Sequence, residues 1–330
     1  MRRPLVLLWL SFSVVSLMAA EAEKPEFRWI DPAGDTAGVG LATRRAQSLE
    51  AGVVTGPPVE IEVKRQVSGA TTRVTRRVYG KDVNGRRQLV ETVVEEIREL
   101  EGGGYDASRT VSRADLGGAM RSVERQTQRA VPEGEGFEVT FRSLAPGPTG
   151  VMEERERVRQ SEHRQGDAVA IDRVRYEPDL SGKWSVVERR VSRSMATKEE
   201  TRTEEQFYRY DVNNRLKLER QVQAREWKEG GGQSRMEAEV FHTDLDGTLR
   251  FAGRVRQSRR ELGNGRAETT ETREEASPAA PGEGVRVVRK LVERSAPAGA
   301  EQTRRVLEVQ EPSPNGGMRV THTQETVETR

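Results

Sequence analysis

The chain contains no cysteine, which excludes a disulfide framework, a thiolate metal site, a cysteine nucleophile and a lipid-modified N-terminal cysteine. Aromatic residues make up 5% and apolar residues 34% of it, too little for an oil-rich core or a large aromatic cleft. Only eight of the 55 basic residues are Lys. The resulting Arg excess builds no basic field, because 53 acids are interleaved with it, and nucleic-acid binding is not expected. Catalytic signatures are missing as well: there is no Gly-x-Ser-x-Gly elbow, and His163, His242 and His322 lie far apart without metal-ligand spacing. Adjacent acids such as Glu204 and Glu205, or Glu274 and Glu275, point to opposite faces of a strand rather than at one substrate. The expectation is a protein without catalytic residues and without a cofactor.

What is present begins with an address. Met1-Arg2-Arg3 gives a positive start, Pro4 to Ala19 is apolar and uncharged, and Ala20-Glu21-Ala22 is a small-x-small cleavage signal. Residues 1–22 therefore read as a signal peptide, and the mature chain as exported: periplasmic, cell-surface or secreted. Residues 23–57, with Pro25, Pro32 and Pro57, read as a poorly ordered leader, and residues 58–330 as one repeat domain.

Asp-x-x-Gly turns start at Asp82, Asp115, Asp179 and Asp244 and end at Gly85, Gly118, Gly182 and Gly247, and Asp211 to Asn214 is a variant. The Asp spacings are 33, 64, 32 and 33. The double gap is filled by Gly147-Pro148-Thr149-Gly150, which keeps the final Gly and has lost the Asp. Degenerate copies follow at Pro281 to Gly284 and Pro314 to Gly317. An Asp at the first position bonds back to the chain two residues on, and the fourth position needs positive φ, which Gly supplies and Asn tolerates. Tyr79, Tyr176, Tyr208 and Phe241 stand three residues before these turns, and Met120, Trp184, Leu216 and Leu249 five after, as apolar clamps. Looser breakers lie halfway between, among them Ser68-Gly69, Gly102 to Gly104, Gly166-Asp167 and Gly230 to Gly232, with Ala196 to Glu199 the weakest. The two sets together predict tandem β-hairpins of about 32 residues and about 17 strands.

Strands are favoured over helices by the supply of Val, Thr, Tyr and Phe and by period-2 alternation. Leu216, Leu218, Val222 and Ala224 read as one apolar stripe, continued by Met236, Ala238 and Val240. Arg266 to Glu275 instead carries charge on both faces and must rely on cross-strand pairs. That segment also disfavours a lipid-facing barrel, since Arg at the bilayer midplane costs about 2–4 kcal/mol. The expected fold is an all-β antiparallel meander, an elongated or rolled sheet or one split in two, spanning about 80 Å if open. Its terminal strands would be edges available for self-association.

Asp244-x-Asp246-Gly247 is similar to the start of a calcium loop, with Val255 where the twelfth-position Glu would stand. Turn chemistry is the favoured role for Asp244 and Asp246, and weak calcium binding the alternative. Tyr208-Arg209-Tyr210-Asp211-Val212-Asn213-Asn214-Arg215-Leu216 resembles the Tyr-Asp repeat of Rhs-type proteins. That resemblance implies a β-hairpin repeat at the cell surface. Together these readings point to an exported structural or adhesive protein of the cell envelope, with a binding module for an envelope polymer or partner protein as the alternative and an enzyme as a distant third.

Overall fold

The computed structural model describes residues 27, 29–30, 59–82, 84–179, 181–211, 215–276, 284–299 and 302–329. The signal peptide, nearly all of the leader, Asn214 and the start of the degenerate turn at Pro281 lie outside the described residues.

Seventeen strands follow one another: β1 Val59–Ser68, β2 Thr71–Lys81, β3 Arg87–Glu99, β4 Tyr105–Ala114, β5 Met120–Glu133, β6 Gly136–Pro146, β7 Met152–Gln165, β8 Ala168–Pro178, β9 Trp184–Ala196, β10 Glu200–Tyr210, β11 Leu216–Glu229, β12 Gln233–Thr243, β13 Leu249–Gly263, β14 Arg266–Ala276, β15 Val285–Pro297, β16 Gln302–Pro312 and β17 Met318–Thr329. Each is antiparallel to the next, and β1 pairs in parallel with β17. The meander is thus a closed barrel, not an open or split sheet. With strands about 4.8 Å apart and tilted about 40°, seventeen of them around a circle give a diameter of roughly 34 Å. The terminal strands, expected as free edges, meet each other at Val59 to Glu62 opposite Thr326 to Thr329. The remainder of β1, which includes the charged Lys64 and Arg65, is paired with β2.

The Asp hairpins owe their tightness to side-chain bonds. At Asp115, Oδ1 accepts from the backbone N–H of Gly117 (2.9 Å) and Ala119 (3.0 Å), while the Gly118 N–H donates to the Asp115 carbonyl at 2.9 Å. Asp82, Asp179 and Asp244 hold their turns in the same way, and Asp211 accepts from the Arg215 N–H at 2.9 Å. The turn without an Asp keeps the backbone bond, Gly150 N–H to Gly147 carbonyl at 2.9 Å. The fourth-position glycines are left-handed, with φ from 75° at Gly85 to 87° at Gly247. The weakest breaker still turns, because the Thr197 hydroxyl accepts from the Glu200 N–H at 3.1 Å.

Each of these hairpins also carries one extra residue on its second strand. Val90, Val123, Arg155, Val187, Glu219, Ala252, Val288 and Thr321 have no opposite number where the register shifts. Such bulges bend a strand and deepen its twist. Eight of them at one level, near the Asp-turn end, curl the sheet toward closure.

Closure crowds side chains on the concave side, so the face that holds the buried residues is the inner wall. Register links them across strands: Val93 opposite Val111, Phe141 opposite Val158, Ala238 opposite Val255, Leu291 opposite Val309. All but the Val93–Val111 pair belong to one of three separate clusters, each from neighbouring strands, and among the described residues none bridges the barrel. The outer face is a lattice of Arg, Glu, Thr and Gln. Glu62 with Arg77, Arg98 with Asp106, Glu237 with Arg256, Glu239 with Arg254 and Glu268 with Arg294 are examples of its cross-strand ion pairs. Each such exposed pair is worth little by itself.

The bulges correct one expectation. Val222 and Ala224 do face inward, but beyond the bulge at Glu219 the alternation inverts, and Leu218 sits opposite Tyr208 on the outer face. The single stripe is two half-stripes on opposite faces.

Replacing Gly118, at φ 83°, by Ala is expected to destabilise the barrel by about 1–2 kcal/mol. Gly230→Ala, where an added Cβ meets nothing within 4 Å and φ is not positive, should be close to neutral. Denaturant midpoints of the two variants check this.

Candidate functional site on the inner wall

The inner wall has two contrasting regions. The first is apolar and holds part of the leader. Ile30 is buried with Tyr105, Ala107, Ala130, Val139, Phe141 and Val158, and Phe27 and Trp29 pack beside them. The Phe27 ring meets Trp29 edge-on at 5.2 Å and Tyr105 at 4.8 Å, a preferred aromatic geometry. Gln128 ties the segment to the wall: its Oε1 accepts from the Ile30 N–H at 2.7 Å and its Nε2 donates to the Tyr105 hydroxyl at 2.6 Å. Burial pushes the Tyr105 phenol up to about 12. Chemically this is a seat for an aromatic peptide segment, and the chain fills it with its own residues 27–30.

The second region, on β7 to β11, is ionic. Arg175 reaches Glu156 at 3.3 Å and Glu188 at 3.2 Å, and Glu188 also pairs with Arg190. Arg173 donates to Gln160 at 2.9 Å. The guanidinium groups of Arg190 and Arg220 lie over the Phe207 ring at 4.9 and 5.2 Å. Glu188, Arg190 and Glu205 are at most 3% exposed. A buried pair of this kind gains little net stability over an apolar one, but breaking it strands a charge, so it fixes which neighbours fit. Burial raises the carboxyl of Glu156, against the pull of Arg175. Burial likewise raises Glu95, which pairs with Arg109 at 3.4 Å, and Glu226.

The residues singled out in the sequence lie elsewhere. Asp82, Gly85, Asp115, Gly118, Gly150, Asp179, Gly182, Asp211 and Gly247 line one rim, in the turns already described. Asp244 and Asp246 spend their carboxylates on the turn: Oδ1 of both accepts from the Thr248 N–H, at 3.1 and 2.8 Å, and Arg250 pairs with both. A cation is thus already supplied by the chain where calcium was the alternative. The histidines remain apart. His163 is exposed on the outer face, whereas the register places His242 opposite Arg220 and His322 opposite Val309, on the inner wall. Burial lowers the His242 imidazole. Among the described residues no cluster of three or more His, Asp or Glu is placed to hold a metal ion.

The leader's contact with the wall had no signal in the sequence beyond Phe27-x-Trp29-Ile30 standing in a polar stretch. The ionic region had none, because most of its partners, such as Arg175 with Glu156 and Glu188, come from different strands.

No family model matches the chain, and no curated protein matches it. Several solved structures align with it, two of which follow. A protein of unknown function from Bacteroides fragilis is 10% identical over 48% of this chain and 89% of its own, with a TM-score of 0.23. A porin-like protein from Bacteroides uniformis is 10% identical over 82% of this chain and 95% of its own, with a TM-score of 0.19. Likeness at this level carries no functional argument.

Gln128→Leu is expected to cost about 1–3 kcal/mol, because the Ile30 N–H and the Tyr105 hydroxyl lose their buried partner; a denaturant melt measures it. The pH dependence follows from two opposite sets of shifts. Glu95, Glu156 and Glu226 take up protons more readily when folded, so their contribution to stability rises as pH falls from 7 through their raised range, against the opposing contribution of His242, which burial holds low. Asp115 is held low by the Ala119 N–H and then the Gly117 N–H, and Asp179 by Ser181 and Lys183. What these aspartates contribute is complete above their unfolded pKa and disappears as pH drops through the folded one. Thermal midpoints should therefore peak at about pH 4–5.

Proposed function

We propose that the chain is an exported, non-catalytic structural element of the cell envelope, a closed cylinder acting as a rigid spacer. The observation that carries this reading is the self-sufficiency of the wall. Arg175 is held between Glu156 and Glu188, and Glu95 by Arg109, so these buried charges serve the fold. The charged lattice of the outer face supports a barrel surrounded by water rather than by acyl chains, since a lipid-facing band must be apolar. The Tyr-Asp resemblance at Tyr208 to Leu216 agrees with a cell-surface repeat.

A second reading, a binding module for an envelope polymer or partner protein, is favoured by the seat around Tyr105 and Phe141, which already accepts a peptide segment. Its site would be the interior, not an edge strand.

One experiment separates the two. Cells lacking the chain are expected to lose resistance to detergent and osmotic shock and to regain it when the chain is restored. A version with Glu156→Gln, Arg175→Met and Glu188→Gln should restore it equally, because a spacer needs only the cylinder. If that version folds by circular dichroism but fails to restore resistance, the spacer reading falls and the interior is functional.

A further inference from the structure

The two rims of the barrel expose different chemistry. One is made by the looser turns, whose tips are glycine with acid: Glu101 beside Gly102, Glu133 and Glu135 around Gly134, Asp167 after Gly166, Glu229 before Gly230. The other is made by the Asp turns. There Leu116 and Leu245, each directly after its Asp, stand in open water at 110% exposure. In the sequence the same position is Val83, Leu180 and Val212 in the remaining Asp turns. A single exposed Leu needs no explanation. The same apolar position recurring on one rim and not on the other does, because that turn position asks for no apolar side chain.

Below the tips lies an aromatic girdle on the outer face. Phe241 packs edge-on against Phe251 at 5.8 Å, Arg87 covers the Tyr79 ring at 3.4 Å, and Arg157 covers Trp184 at 4.6 Å. Cations follow the turns at Arg86, Lys183, Arg215 and Lys217, of which Lys217 is paired with the turn carboxylate of Asp211 at 3.1 Å. Apolar tips, then aromatic rings and cations, then a wall made mostly of charged and polar side chains is the order of groups met on leaving a bilayer.

Spacing decides between a lipid surface and a second copy of the chain. Successive Asp turns are two strands apart, about 12 Å along the rim of tilted strands. Tips so separated form no continuous apolar centre of the kind a protein interface needs. A lipid surface accepts separate prongs, and anionic headgroups suit the cations of this rim better than the acids of the other.

We propose that the Asp-turn rim docks the barrel upright on an anionic lipid surface, with Leu116 and Leu245 entering the boundary between headgroups and acyl chains. This goes beyond the spacer reading and shares with it only the exported location.

The test is flotation of the exported protein, produced from the full-length chain, with vesicles of phosphatidylethanolamine and phosphatidylglycerol. The unaltered protein is expected to float, and Leu116→Ser with Leu245→Ser to bind about tenfold less. The indole introduced by Leu116→Trp should shift to the blue with vesicles, and the one introduced by Lys198→Trp, on the opposite rim, should not. Because these side chains are fully exposed, circular dichroism should be unchanged in every variant. A protein that stays with the soluble fraction, or a double variant that floats equally well, overturns the proposal. So does light scattering that shows a dimer broken by the same double variant without vesicles, which would make the rim a contact between copies. None of these outcomes bears on the envelope-resistance experiment, which reads the spacer role separately.

Discussion

The structure depends on a main-chain hydrogen-bond ladder that closes on itself. There is no disulfide, and the buried apolar residues among those described fall into small patches on neighbouring strands, none of which joins the ends of the sheet. In a flat sheet of seventeen strands the outermost two would expose unpaired backbone groups to any other chain. Here β1 turns toward β17 and the two supply each other's missing neighbour. That pairing is short, and what brings its partners within reach is curvature accumulated over every other hairpin.

Curvature and turn chemistry come from one unit. An Asp carboxylate fixes the turn, a left-handed glycine ends it, and an extra residue a few positions later bends the outgoing strand. Repeating this at one level concentrates the bend there. The inner wall can then be half apolar and half ionic without loss of the fold, because its side chains decorate a ladder that other groups already hold. Glu205 at 1% exposure next to Val222 illustrates this tolerance. So does the seat that residues 27–30 fill.

How much of this the sequence reveals depends on the range of the interaction. Asp82, Asp115, Asp179 and Asp244 announce themselves because the bonds that fix a turn lie within four residues, and the strand number follows from counting turns. The bulges are silent: Val90, Arg155 and Glu219 share no side-chain property, since a bulge is a property of backbone register. Leu216 and Leu218 are misassigned for that reason alone. The seam between β1 and β17 and the bond from Ile30 to Gln128 join residues about a hundred or more positions apart, and nothing local encodes them.

The odd number of strands has an evolutionary consequence. A chain that lengthens by copying a hairpin gains strands two at a time, so the first and last strands keep the same direction through any number of duplications. Copying or losing a unit therefore changes the girth of the cylinder without inverting its join. The same parallel join would serve a narrower or a wider relative, and the repeat number becomes a heritable setting of bore size that selection can adjust in even steps.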